Sequence, residues 1–108
     1  MRIFFNTKKL QKICSVSAQA KKHLGPKGGR KLEQRMMELK AAETLADISR
    51  LPPARCHELT GDRAGQLSVD LEHPYRLLFV VGDNPRPERK SGGLDWEKLN
   101  NHRLKTVG

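Results

Sequence analysis

Residues 55–81, RCHELTGDRAGQLSVDLEHPYRLLFVV, decide how this chain folds. Leu67, Val69 and Leu71 recur two apart with polar residues between them, the period of a strand with one buried face. Two clusters interrupt the alternation: residues 60–65, rich in Gly and Asp, and Glu72-His73-Pro74. Both are turn chemistry. The stretch therefore predicts strands over residues 55–59, 66–71 and 75–81, joined by two turns. The last strand is apolar on both faces apart from Arg76, which places it centrally in a sheet.

Upstream the period is helical. Leu10, Ile13, Cys14, Ala20 and Leu24 fall at helical spacing over residues 8–24, with lysines on the other face and Asn6 or Thr7 as N-cap. Gly25-Pro26 ends that helix. GPKGGR (residues 25–30) lacks the Gly-Lys-Ser/Thr ending of a phosphate-binding loop and follows no strand, so it reads as a connection between helices. A second helix spans residues 30–42, with Leu32, Met36 and Leu39 inward and Met36 and Met37 as core filling. Thr44-Leu45-Ala46-Asp47 fits a capping box for a further short turn, stopped by Leu51-Pro52-Pro53.

Ile3-Phe4-Phe5 is a short first strand. Residues 82–93 form a polar loop, Asp95 caps a turn holding Trp96 and Leu99, and residues 102–107 make a last strand. The order is β-α-α-β-β-β-β. It defines an α+β fold, an antiparallel sheet packed against an N-terminal two-helix hairpin, in a single domain over residues 1–108.

The formal net charge is +9, and all of the excess lies in residues 1–40, where eleven Lys and Arg face only Glu33 and Glu38. The remaining residues balance, ten basic against ten acidic. Such a field favours a polyanion, nucleic acid above all, through phosphate neutralisation and counterion release. The chain has only three Phe, one Tyr and one Trp, and no two of them share a strand face as in an RNA-stacking sheet. No apolar run reaches the roughly 20 residues of a membrane span, and the start is too short for a secretory signal, so a cytoplasmic protein is expected. Cys14 and Cys56 make no Cys-x-x-Cys pair, the four His are scattered, and neither a metal nor a cofactor is expected.

Strands joined by tight turns are neighbours in a sheet, so His57, Arg63 in the turn, and Arg76 are expected within one patch. A guanidinium on a central strand is costly unless it is paired, here with Asp70 or Glu58, or reaches a groove. His57 is either an ordinary satisfied or exposed histidine or a proton carrier. Alternation sets it on the side of Leu59, so a twist or bulge near the turn is expected to aim it into a polar cleft.

The residues His57-Glu58-Leu59-x-Gly61-Asp62-Arg63, Gly65-Gln66-Leu67-Ser68-Val69 and Tyr75-Arg76-Leu77-Leu78-Phe79 carry a resemblance. With residues 42–52 and Gly92-Gly93-Leu94-Asp95-Trp96, the chain resembles, over nearly its whole length, the RelE/HigB superfamily of bacterial toxin–antitoxin toxins, the HigB-like killer proteins most of all. The resemblance implies a ribosome-dependent mRNA endonuclease (an mRNA interferase) that blocks translation. It also implies neutralisation by a small helix-turn-helix antitoxin, HigA-like, which alone contacts operator DNA. By the same resemblance His57, Arg63 and Arg76 are the catalytic residues. Metal-free RNA cleavage needs a base for the 2′-OH, cations for the phosphorane and an acid for the leaving oxygen. A histidine, titrating ordinarily near pH ~6.5, can serve either proton transfer, and arginines the charge.

Lys8, Lys9, Lys12, Lys21, Lys22, Lys31 and Arg35 on the helices are then the expected contacts to ribosomal or messenger RNA. The chain departs from the family in two places. Thr60 stands where a Lys usually follows the His, and residues 103–108 lack the family's Asp-Tyr-His tail. Thr60, Tyr75 and His102 are the candidate accessory groups, the last two with plainer readings as a strand aromatic and a surface residue. A toxin-fold protein that binds RNA, ribosome or antitoxin without cleaving is the alternative.

Overall fold

The computed structural model describes residues 1–83 and 85–108. Its elements are β1 (Arg2–Phe5), α1 (Lys8–Ser15), α2 (Ser17–Ala41), β2 (His57–Glu58), β3 (Gln66–Asp70), β4 (Arg76–Val81) and β5 (Asn101–Val107). Short 3-10 turns at Leu45–Asp47, Gly61–Arg63 and Trp96–Lys98 punctuate the loops. This is the expected α+β order, and β4 is central.

The sheet order is β1-β5-β4-β3-β2. Its β2, β3, β4 and β5 pair antiparallel, but β1 lies parallel to β5, so the sheet is mixed rather than antiparallel throughout. The helices intervene between β1 and the rest, and a crossover of that length is what parallel pairing requires. Between Leu78 and Phe79 the register against β5 slips by one residue, which leaves Lys105 as an unpaired bulge. The bulge lets both Leu104 and Val107 face the core, three residues apart.

The core face carries Leu67, Val69, Leu77, Phe79 and Leu104, and the helices cover it with Leu10, Ile13, Cys14, Ala20, Leu24, Leu32, Met36 and Leu39. The inward stripes expected from spacing are thus the buried ones. Met37 is the exception at 71% exposed; it stands one residue, or 100° of helix, off the stripe.

The helices themselves differ from expectation in their breaks. Thr7 caps α1, its hydroxyl accepting from the Leu10 N–H at 3.1 Å. The helix stops at Val16, which is extended; a β-branched residue between two serines has little to hold it helical. In α2, Gly25 alone leaves helical conformation, at φ 81°, where only glycine is unstrained. Pro26 then opens the second half at the position where a missing N–H costs nothing. The helix therefore resumes at Pro26, not at residue 30, and Gly28 and Gly29 lie within it. Both are buried against the first half: a Cβ on Gly29 would stand 2.8 Å from the Lys21 backbone nitrogen. GPKGGR does join two helical halves, but as a kink at Gly25 with a close crossing behind it.

Arg35 also departs from expectation. It is buried at 1% exposure, donating from Nε to the Asp70 carbonyl at 2.8 Å and pairing with Glu38 at 3.1 Å. It ties α2 to the end of β3 and is not available to RNA. Arg35→Met keeps the packing but strands the Asp70 carbonyl, and is expected to lower stability by about 2 kcal/mol, measured by urea unfolding.

Candidate active site

His57 pairs with Ser68 across β2–β3, Ser68 with Leu78 across β3–β4, and Asp70 with Arg76. Cross-strand partners share a face, and so do residues two apart. His57 and Arg76 are therefore on the same face of the sheet, the one opposite the helices. No bulge is needed to put His57 there, because its partner Ser68 already lies opposite the core residues Leu67 and Val69. The two residues stand two strands apart, about 10 Å in the pairing direction.

Arg55 links them. It is not part of the strand; it closes the turn after Pro52-Pro53, its N–H donating to the Leu51 carbonyl at 3.0 Å. Its φ of 44° is in the left-handed region, as at the end of a helix. Its carbonyl lies 3.0 Å from His57 Nδ1. A carbonyl can only accept, so Nδ1 carries a proton, and in the neutral ring Nε2 then holds the lone pair a general base needs. The Arg55 guanidinium grips both oxygens of Asp70, at 2.8 and 3.2 Å.

Both partners proposed for Arg76 are thereby engaged elsewhere. Asp70 is held by Arg55. Glu58, on the core side of β2, accepts from the Leu94 N–H and from Trp96 Nε1, each at 3.0 Å. Among the described residues no ion pair includes Arg76. Arg76 is exposed and faces a polar cleft of about 360 Å3, shared with Arg55, Asp70, His73 and Tyr75.

Arg63 is elsewhere. It closes the exposed 3-10 turn between β2 and β3, next to Gln66, whereas Arg76 lies opposite Asp70 at the other end of β3. Four residues of strand, about 14 Å, separate those ends. The three-residue patch expected from the hairpins is thus spread along β3, with Arg63 and Arg76 at opposite ends and His57, opposite Ser68, midway between them. Thr60 lies with Arg63 in the exposed turn, and Tyr75 lies at the cleft beside Arg76.

His102 is not a surface residue. It is fully buried on the core face, edge-on to Phe79 at 5.1 Å, and neither ring nitrogen has a hydrogen-bond partner among the described residues. It cannot reach RNA. Burial, helped by the positive amino terminus, pushes its pKa down to about 4. The unfolded chain binds this proton near pH 6.5 and the folded chain only near 4. Stability is therefore full above pH 6.5 and falls as the pH drops towards 4, by about 3 kcal/mol. Urea unfolding from pH 7 to 4 checks this; His102→Phe should flatten the part of the slope owed to this group.

Of the expected RNA contacts, Lys8, Lys9, Lys12, Lys21 and Lys22 are exposed and Lys31 is half-buried. Lys9, Lys12 and Lys22 share a cleft of about 360 Å3 with Gln19 and His23, between α1 and the start of α2. Burial raises Cys14 to about 11 and Cys56 to about 12, so both thiols stay protonated and are poor nucleophiles. Among the described residues no three His, Cys, Asp or Glu side chains gather to hold a metal, and no helix is long and apolar enough to cross a membrane.

Arg55 and His73 enter the site unannounced by periodicity, because turns bring them there. A comparison with protein-family models and with curated proteins returned no match.

Proposed function

We propose that this protein is an mRNA-cleaving toxin of the RelE/HigB type, acting on ribosome-bound mRNA in the cytoplasm. The observation that supports it best is the exposed Arg76, deprived of both acidic partners, on one sheet face with a His57 whose Nε2 is kept as a base. In this reading Nε2 takes the 2′-OH proton as the 2′-oxygen attacks the adjacent phosphorus. The P–O5′ bond breaks, and Tyr75, at the cleft beside Arg76, supplies the leaving oxygen's proton. A 2′,3′-cyclic phosphate and a 5′-OH remain. Arg76 neutralises the phosphorane, and the exposed helix lysines hold RNA backbone.

A helix-turn-helix antitoxin is the proposed partner, and operator DNA is reached only through it. Inducing the chain in a bacterial host should arrest growth and fragment mRNA. Unchanged growth with intact mRNA, or arrest equally produced by His57→Ala, refutes the reading.

A second reading has its own support: Arg63 is remote from Arg76, and Thr60 brings no charge. The chain then binds RNA or ribosome without cutting it, with affinity falling steeply with salt. Under this reading Thr60→Lys leaves RNA intact but tightens binding.

A further inference from the structure

We propose that the open sheet face is a single-stranded RNA track that runs past the His57–Arg76 pair to Phe4, whose exposed ring stacks a base. The proposal takes its ligand from the reading above, and adds a place on the far side of the sheet.

Phe4 is opposite Arg103, and Arg103 opposite Val80, which shares its face with Arg76. The row therefore crosses from β1 to β4 on the open face and meets β4 four residues, about 14 Å, along the strand from Arg76. Phe4 is 46% exposed in a strand whose neighbours Ile3 and Phe5 pack against the core. Nearly half of the residue stays in water, and a base stacked on the ring would bury apolar surface that the fold leaves exposed. The Arg103 guanidinium lies 5.9 Å from its centroid, the outer limit of a cation–π contact. The pair is loosely held, so a base can take the ring while Arg103 meets a phosphate.

Charge points to the same occupant. By register, Arg2, Arg103 and Arg76 share this face, and Asp70, its one acidic strand residue, is neutralised by Arg55. From β1 to β2 the face is four strand spacings wide, about 19 Å, enough for several nucleotides. One stacking ring explains why no aromatic pair is needed: the arginines supply backbone contacts, and a single base is fixed.

The test is titration of a fluorescein-labelled mixed-sequence decaribonucleotide, single-stranded and annealed to its complement. A His57→Ala background keeps cleavage out of the measurement. Phe4→Leu keeps the bulk and loses the π-face, and should weaken single-strand binding about tenfold, as expected for one stacked base. Phe4→Trp should bind at least as well as Phe4, and the duplex should be indifferent to both. Phe4→Leu matching its parent, Phe4→Trp losing as much as Phe4→Leu, or equal losses on duplex each overturn the track. Phe4-dependent binding by a chain that never cuts RNA sinks the cleavage reading and leaves the track standing. Cleavage unaffected by Phe4→Leu does the reverse.

Discussion

His57→Ala is expected to slow RNA cleavage by about 10²–10⁴-fold while leaving RNA affinity and folding near those of the parent. The reason is local. His57 is half-buried on a two-residue strand, and among the described residues its side chain makes one hydrogen bond, from Nδ1 to the Arg55 carbonyl. Removing the ring costs the fold little and removes the imidazole that shares a sheet face with Arg76. Arg76→Ala should slow cleavage comparably, about 10²–10³-fold, because a donor aimed at developing charge acts mainly on the transition state. Arg76→Lys should recover only part of it, since an ammonium cannot grip two phosphate oxygens in the plane of a guanidinium. Arg63→Ala, at the far end of β3, should change the rate little. Single-turnover rates with the three alanine variants decide whether Arg63 acts with His57 and Arg76, as spacing alone suggests.

Glu58→Ala should lower stability by about 4 kcal/mol, the sum of two charge-assisted hydrogen bonds at about 2 each. Glu58 pins Leu94 and Trp96 to β2, and Arg50 closes the far side of the indole at 3.6 Å. Without the carboxylate, a backbone N–H and an indole N–H are left part-buried and unpaired. Glu58→Gln, with one oxygen for two donors, should fall between. Thermal unfolding checks both. A midpoint within a degree or two of the parent for Glu58→Ala would mean that water replaces the carboxylate, and that this loop is held by packing.

The alternation of residues 66–81 and the stripes Leu10-Ile13-Cys14 and Leu32-Met36-Leu39 were readable because burial follows the geometric period of each element. That reading carried the order of elements and the central place of β4. It could not carry what depends on distant partners. Nothing near β1 says that it joins β5 parallel, since its partner lies almost a hundred residues on. His102 reads as a surface residue because polar residues flank it, yet β5 turns it onto Phe79. Arg35 counts as one more basic residue until Asp70 is placed beside it. The site was legible in the same measure. His57 and Arg76 lie on the two strands that flank β3, where register follows from short turns. Arg63 lies within a turn, where sequence proximity to His57 says little about distance from Arg76.

The central claim is tested most directly by incubating the purified protein with ribosomes stalled on a defined mRNA and mapping the 5′ ends by primer extension. The account predicts new 5′-OH ends, paired with 2′,3′-cyclic phosphates, that appear with the parent and vanish with His57→Ala and Arg76→Ala. Intact mRNA, or cuts that persist undiminished in either variant, would contradict it.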